Sequence, residues 1–258
     1  MKFSIWAGRS AMPLLCRILL SLFFLSGAVT AGERVIVIDA GHGGAAPSGS
    51  QGARTLSSPN NAVSPGGLKE KDLTLELAQK VIAAINASPA AKKAGVRAVP
   101  TRTSDTNPDF GQRAKVAADS KAEWFLSLHF NAVPKGSKKA SGTLGMVRMK
   151  SKNPHYKEDA ALASALAGSV NKVIRQWLPD SKALSVADDH ELHGGEGSNL
   201  FHQLQTQLKT PVTACFLEVE FIDNPAVEQA LLGKNRTASF DAIAAAISTT
   251  IVTAAGQK

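Results

Sequence analysis

Apolar and polar positions in this chain repeat with two periods, and the elements follow from them. Val35-Ile36-Val37-Ile38 is an unbroken β-branched run that reads as a buried strand, and Gly41-His42-Gly43-Gly44 follows as an abrupt loop at its carboxyl end. From 68 to 85, Leu73, Leu77, Val81 and Ile85 recur every four residues with Ala78 and Ile82 beside them, predicting an amphipathic helix packed on a sheet. Further strands are predicted over 96–101, 123–132 and 142–149, and helices from Gln112 to about Ser120 and within 159–178. Residues 180–210 read as irregular. In the strand predicted over 213–222, alternation places Cys215, Leu217, Val219 and Phe221 on one face and Phe216, Glu218 and Glu220 on the other. Asn224 caps a helix with Pro225 at its first position and Gly233 past its end, and Phe240, Ile243, Ile247 and Ile251 stripe a last helix. With no internal repeat and no linker, the pattern describes one domain.

The first residues belong to another class of segment. Lys2, Arg9 and Arg17 precede an apolar run over 18–25 that ends in small residues up to Ala31. This is the layout of a secretory signal peptide, residues 1–31, cut after about Ala31; the run is short for an uncleaved membrane anchor. The mature chain, 32–258, is therefore expected to be exported to the periplasm or cell wall. Of the 258 residues, 44% are apolar and 19% charged, an ordinary globular balance. Without its first 31 residues the chain holds 26 basic against 21 acidic residues, a net charge of +5. The basic residues are scattered and aromatics are sparse, so nucleic acid is not an expected partner, whereas an anionic wall polymer or membrane surface is compatible. Only Cys215 remains after cleavage, which excludes an intramolecular disulfide. Ala45 to Gly67 is a long Ser/Gly/Pro/Asn loop of the kind that forms functional rims or stays disordered.

Several polar residues stand where the pattern makes them chemically interesting. His42 and His129 both lie at carboxyl ends of predicted strands, where open α/β sheets bind ligands, so they would converge on one edge. Glu70 projects from the first turn of the 68–85 helix on its buried side, either as a favourable charge at a helix start or as a metal ligand. Glu218 and Glu220 interrupt an apolar strand, which is costly unless they are paired, protonated or near a metal. His190-x-x-His193 lies in a polar Gly-rich stretch and reads as a solvated loop. Two histidines and a carboxylate with a fourth position open make a catalytic zinc arrangement, and a separate glutamate could move protons beside it. No HExxH motif is present.

Five blocks then occur in order: Ile38-Asp-Ala-Gly-His42-Gly-Gly, Glu70-Lys-Asp-Leu, Thr101-Arg-Thr-Ser-Asp105, Ser127-Leu-His129-Phe-Asn131-Ala, and Leu217-Glu218-Val-Glu220-Phe-Ile-Asp-Asn224-Pro225. Together they resemble the zinc-dependent N-acetylmuramoyl-L-alanine amidases of the AmiA/AmiB/AmiC type over roughly 34–255. The resemblance implies a single α/β domain, a twisted, mostly parallel sheet flanked by helices on both faces. It implies Zn2+ held by His42, Glu70 and His129, catalysis by Glu218, and hydrolysis of the amide between N-acetylmuramic acid and L-alanine in peptidoglycan. A protein activator and a monomeric state belong to the same expectation. Glu220 departs from the glycine usual in that family; it could raise the pKa of Glu218 or crowd the substrate. Rival readings are another zinc peptidase of the cell wall and a wall-binding protein without activity.

Overall fold

The computed structural model describes residues 33–133 and 139–256; residues 1–31, read above as a signal peptide, lie outside the described residues. Six strands, β1 (Arg34–Ala40), β2 (Val96–Pro100), β3 (Trp124–Asn131), β4 (Leu144–Val147), β5 (Ala187–Asp188) and β6 (Thr213–Phe221), form one sheet in the order β2-β1-β3-β6-β4-β5. The pairs β1–β2, β1–β3, β3–β6 and β4–β5 are parallel, while β4 runs antiparallel to β6. Four neighbouring strands thus present their carboxyl ends along one edge. The fold is the α/β architecture expected, with a mixed sheet in which parallel pairing dominates.

Among the described residues, eight α-helices lie between and after the strands: α1 (Glu70–Ala87), α2 (Pro89–Lys93), α3 (Phe110–Asp119), α4 (Tyr156–Ile174), α5 (Asp189–His193), α6 (Asn199–Gln207), α7 (Pro225–Val227) and α8 (Arg236–Gly256). The four-residue repeat of α1 is the face that packs: Leu73, Leu77, Val81 and Ile85 have no exposed surface. They join α4, α8 and the Ile36/Ile38, Leu126/Leu128 and Cys215/Leu217/Val219 side of the sheet in one core. The alternate residues Val35, Val37, Phe125 and Phe216 pack on the other side against Ala114 and Ala117 of α3 and Leu200, Phe201 and Leu204 of α6. Period two in the strands therefore divides the apolar residues between two helical layers. Helix α8 is long and apolar enough to cross a membrane, yet Phe240, Ile243, Ile247 and Ile251 are buried in the first of these cores.

One expectation is corrected, and one open alternative is narrowed. Residues 180–210 are not wholly irregular, since they contain β5, α5 and α6. Each is short, and the apolar triplet of α6 is embedded among glycines and glutamines that carry no periodic signal. The loop over 45–67 is ordered and tied down: Ser48 and Ser57 pair backbone to backbone, and Asn107 Nδ2 donates to the carbonyls of Ala46 and Ser57.

Candidate metal centre

Parallel pairing brings the candidate residues together. The loop after β1 carries His42, β3 carries His129, and the first residue of α1 is Glu70. His42 has φ 61°, a left-handed conformation uncommon for a residue with a side chain, and such strain is usually held in place for a purpose. Gly43 follows with φ 131°, where a Cβ would lie 1.9 Å from the Thr106 carbonyl oxygen, so only glycine lets the loop pass.

Two buried arginines hold that loop from beneath. Arg102 donates to the carbonyls of Ala40, Gly41 and Lys71 at 2.7–3.0 Å. Arg113 donates to the carbonyls of Ala40 and His42 at 2.8 Å each and to Asp39 Oδ1 at 2.7 Å. Burial opposes ionisation of Asp39, but Arg113, with hydrogen bonds from Ser127 and Thr101, keeps its carboxyl below the ordinary range.

His42, Glu70 and His129 each offer a ligand atom within 4.8 Å of the others. The cluster converges on Glu70 Oε1, 3.2 Å from His42 Nε2 and 3.0 Å from His129 Nδ1. His42 Nδ1 lies 3.1 Å from the Ser58 carbonyl oxygen, which only accepts, so the ring proton belongs on Nδ1 and the lone pair on Nε2. That Nε2 is buried and has no hydrogen-bond partner among the described residues. Glu70 Oε2 accepts from the Ala62 amide at 3.1 Å and Oε1 from the Phe130 amide at 3.2 Å, which orients the carboxylate. Burial works against its charge, yet the two imidazoles beside it, His129 and His42, hold the Glu70 carboxyl well below the usual range. Two imidazole nitrogens and a carboxylate oxygen, one nitrogen orphaned, are a donor set that fits a divalent cation such as zinc.

Glu218 stands beside this cluster. In the β3–β6 ladder it is paired with His129. Its Oε2 is buried and has no hydrogen-bond partner among the described residues. Burial, with repulsion from Glu70, pushes its carboxyl up to about 7 against the attraction of His129. The like charge that acts on it is therefore Glu70 and not Glu220. Beyond His129 the β3–β6 register shifts, Asn131 facing Phe221, and an extra residue on β6 breaks the alternation that would have carried Glu220 alongside Glu218. Glu220 is fully buried and accepts from Ser141 Oγ at 2.9 Å, Ser181 Oγ, the Gly142 amide at 2.8 Å and the Phe221 amide at 2.9 Å. It braces the neighbouring loops and does not crowd the substrate side.

His190 and His193 are exposed on the short α5, as a solvated stretch would be. His193, however, lies with its ring centroid 6.3 Å from Phe216, which also packs on His129 at 5.1 Å. Although the residue as a whole is exposed, partial desolvation of its ring and then the proximity of His129 lower its pKa. It therefore belongs to the mouth of the site, which its spacing to His190 gave no reason to expect. Ser58 and Ala62 were equally hidden; the one available signal was a Ser/Asn-rich loop joining two candidate ligands.

Comparisons with known proteins bear on the fold and the family. The germination-specific N-acetylmuramoyl-L-alanine amidase of Bacillus subtilis (strain 168) is 27% identical over 215 residues, 78% of this chain and 72% of that protein. The probable N-acetylmuramoyl-L-alanine amidase AmiB of Haemophilus influenzae is 29% identical over 188 residues, 72% of this chain; the match spans only 34% of AmiB. Among solved structures, the CwlD amidase from Clostridioides difficile, in complex with the GerS lipoprotein, shares the fold with a TM-score of 0.62 at 19% identity, covering 88% of this chain and 100% of that one. The sequence profile of the N-acetylmuramoyl-L-alanine amidases matches residues 36–251, and the chain belongs to that family.

Proposed function

We propose that His42, Glu70 and His129 hold zinc and that Glu218 is the catalytic residue of this peptidoglycan amidase. As a family member, the chain hydrolyses the amide between N-acetylmuramic acid and L-alanine. The observation that carries the residue assignment is the convergence of His42 Nε2 and His129 Nδ1 on Glu70 Oε1, with Glu218 paired to His129 in the next strand. Zinc, when bound, supplies Lewis acidity that polarises a carbonyl and eases deprotonation of water. Glu218, as carboxylate, takes a proton from the attacking water as its oxygen bonds to the lactyl carbonyl carbon. It then returns that proton to the alanine nitrogen as the C–N bond breaks, leaving a lactyl carboxylate and a stem peptide with a free amine. The Ser58 and Ala62 contacts hold the His42 tautomer and the Glu70 carboxylate ready for this.

Incubating the purified protein with peptidoglycan is expected to release stem peptides beginning with L-alanine, to stop releasing them with chelator, and to resume when zinc is added. Mass analysis of the new termini checks this; fragments cut within the stem would assign a peptidase instead.

Gly41 provides a second test. A Cβ at Gly41 would lie 2.4 Å from His129 Cε1. Gly41→Ala should therefore displace the imidazole and weaken zinc binding by roughly 10–100-fold, the range for disturbed ligand orientation. Competition titration against a zinc-binding dye measures it, and unchanged affinity would remove His129 from the ligand set.

The same reading places the enzyme outside the cytoplasm, after cleavage near Ala31. The basic start, apolar run and small residues of 1–31 support this. The relative solved with the GerS lipoprotein supports including a protein partner among its regulators.

A further inference from the structure

A cavity of about 340 Å³ opens between the segment leading into α4, helix α6 and the start of β6. Ala214 in its wall precedes Glu218 by four residues, roughly 13 Å along the strand, so the cavity is separate from the metal centre. Its apolar lining comes from Phe201, Leu204, Leu208 and Val212. The same wall carries the basic residues Arg148, Lys152 and Lys209, with His155.

Arg148 is the unusual member. It is 5% exposed, and its Nε and Nη1 have no hydrogen-bond partner among the described residues. Buried guanidinium groups are ordinarily paired, because an uncompensated charge away from water is costly. Burial pulls its pKa below the ordinary arginine value, and Asp189 is the acid that most opposes this. Asp189, though, accepts from two backbone amides, Oδ1 from Met149 and Oδ2 from Ser198, at 2.9 and 2.7 Å. Asp159, the acid in the cavity wall, is held by Asn153 Nδ2 and the Ala214 amide, and burial raises it to about 6. Lys152 has Glu196 as a partner, whereas Lys209 is exposed at the rim. Arg148 thus keeps two buried donors without hydrogen-bond partners among the described residues, next to an apolar surface of ligand size.

We propose that this cavity binds a small organic anion, a carboxylate carried on an apolar body, with the carboxylate at Arg148 and the body against α6. Three probes separate the contributions: octanoate (charge and chain), octanol (chain alone) and inorganic phosphate (charge alone), titrated into the purified protein by calorimetry and by methyl NMR of Leu204 and Leu208. Octanoate should bind below ~1 mM and at least ten-fold tighter than either other probe, shifting both leucines. Arg148→Leu should abolish the preference for octanoate over octanol. If that variant fails to fold, Lys209→Glu at the exposed rim should weaken octanoate several-fold while leaving octanol unchanged. Equal binding of octanoate and octanol, no shift at Leu204 and Leu208, or octanoate affinity unmoved by either substitution would overturn the proposal.

Discussion

Glu218→Gln is expected to lower kcat by roughly 10³-fold, within the range for loss of a general acid–base, while the protein still carries one zinc. Glutamine keeps the shape of the side chain and its place opposite His129, but it cannot take a proton from water. A drop of that size is about 4 kcal/mol of transition-state stabilisation. The metal donors are other residues, so metal content should not change. The environment of Glu218 sharpens the expectation. Burial pushes its carboxyl up to about 7 in the metal-free protein, and a cation held by His42, Glu70 and His129 would favour the ionised form and lower that value. Wild-type turnover should therefore fall as pH drops through the Glu218 titration, because only the carboxylate acts as base. Loss of zinc together with turnover would make Glu218 a ligand; full turnover would move proton transfer to another group, for which His193, packed on the Phe216 ring, is a candidate.

The parts of the fold that could be read from the sequence are those where one period dominates. The β-branched run of β1 and the four-residue repeat of α1 each fix an element and the face it buries, because an apolar stripe has no other stable place. Parallel strands end on one edge, so histidines at the ends of β1 and β3 could be expected to meet before any distance was known. Periodicity fails where a single residue resets it. The extra residue on β6 separates Glu220 from Glu218, and nothing in Leu217-Glu218-Val219-Glu220 marks a register shift set by the partner strand. It fails again in α5 and α6, where short helices among glycines are fixed by tertiary bonds such as those that Asp189 accepts from the Met149 and Ser198 amides. The supports of the site are illegible for a different reason. Ser58 and Ala62 act through backbone groups, which every sequence presents alike, and Arg113 acts largely on the carbonyls of residues distant in the chain.

Arg113→Met should show how much the metal centre depends on such a support, with an expected loss of about 3–5 kcal/mol, the usual cost of leaving one member of a buried ion pair behind. Arg113 and Asp39 are each 1% exposed and 2.7 Å apart. The same guanidinium donates to Pro108, Ala40 and His42, so its removal leaves three carbonyls with fewer donors beneath the strained His42 loop. The effect of pH has a definite sign. In the wild type the Asp39 carboxyl is held below its ordinary value, which contributes stability above that value and loses it as pH falls through the lowered one. Without Arg113, burial dominates and raises the Asp39 carboxyl, so the variant is penalised increasingly as pH rises. The deficit measured by urea unfolding should thus be largest near neutral pH and narrow on acidification. A pH-independent deficit would mean that Arg113 stabilises the fold by packing and carbonyl bonding, with its charge on Asp39 contributing little. A deficit of the expected size that narrows on acidification would instead make the charge pair under β1 the reason a histidine with positive φ can be held where a ligand is needed.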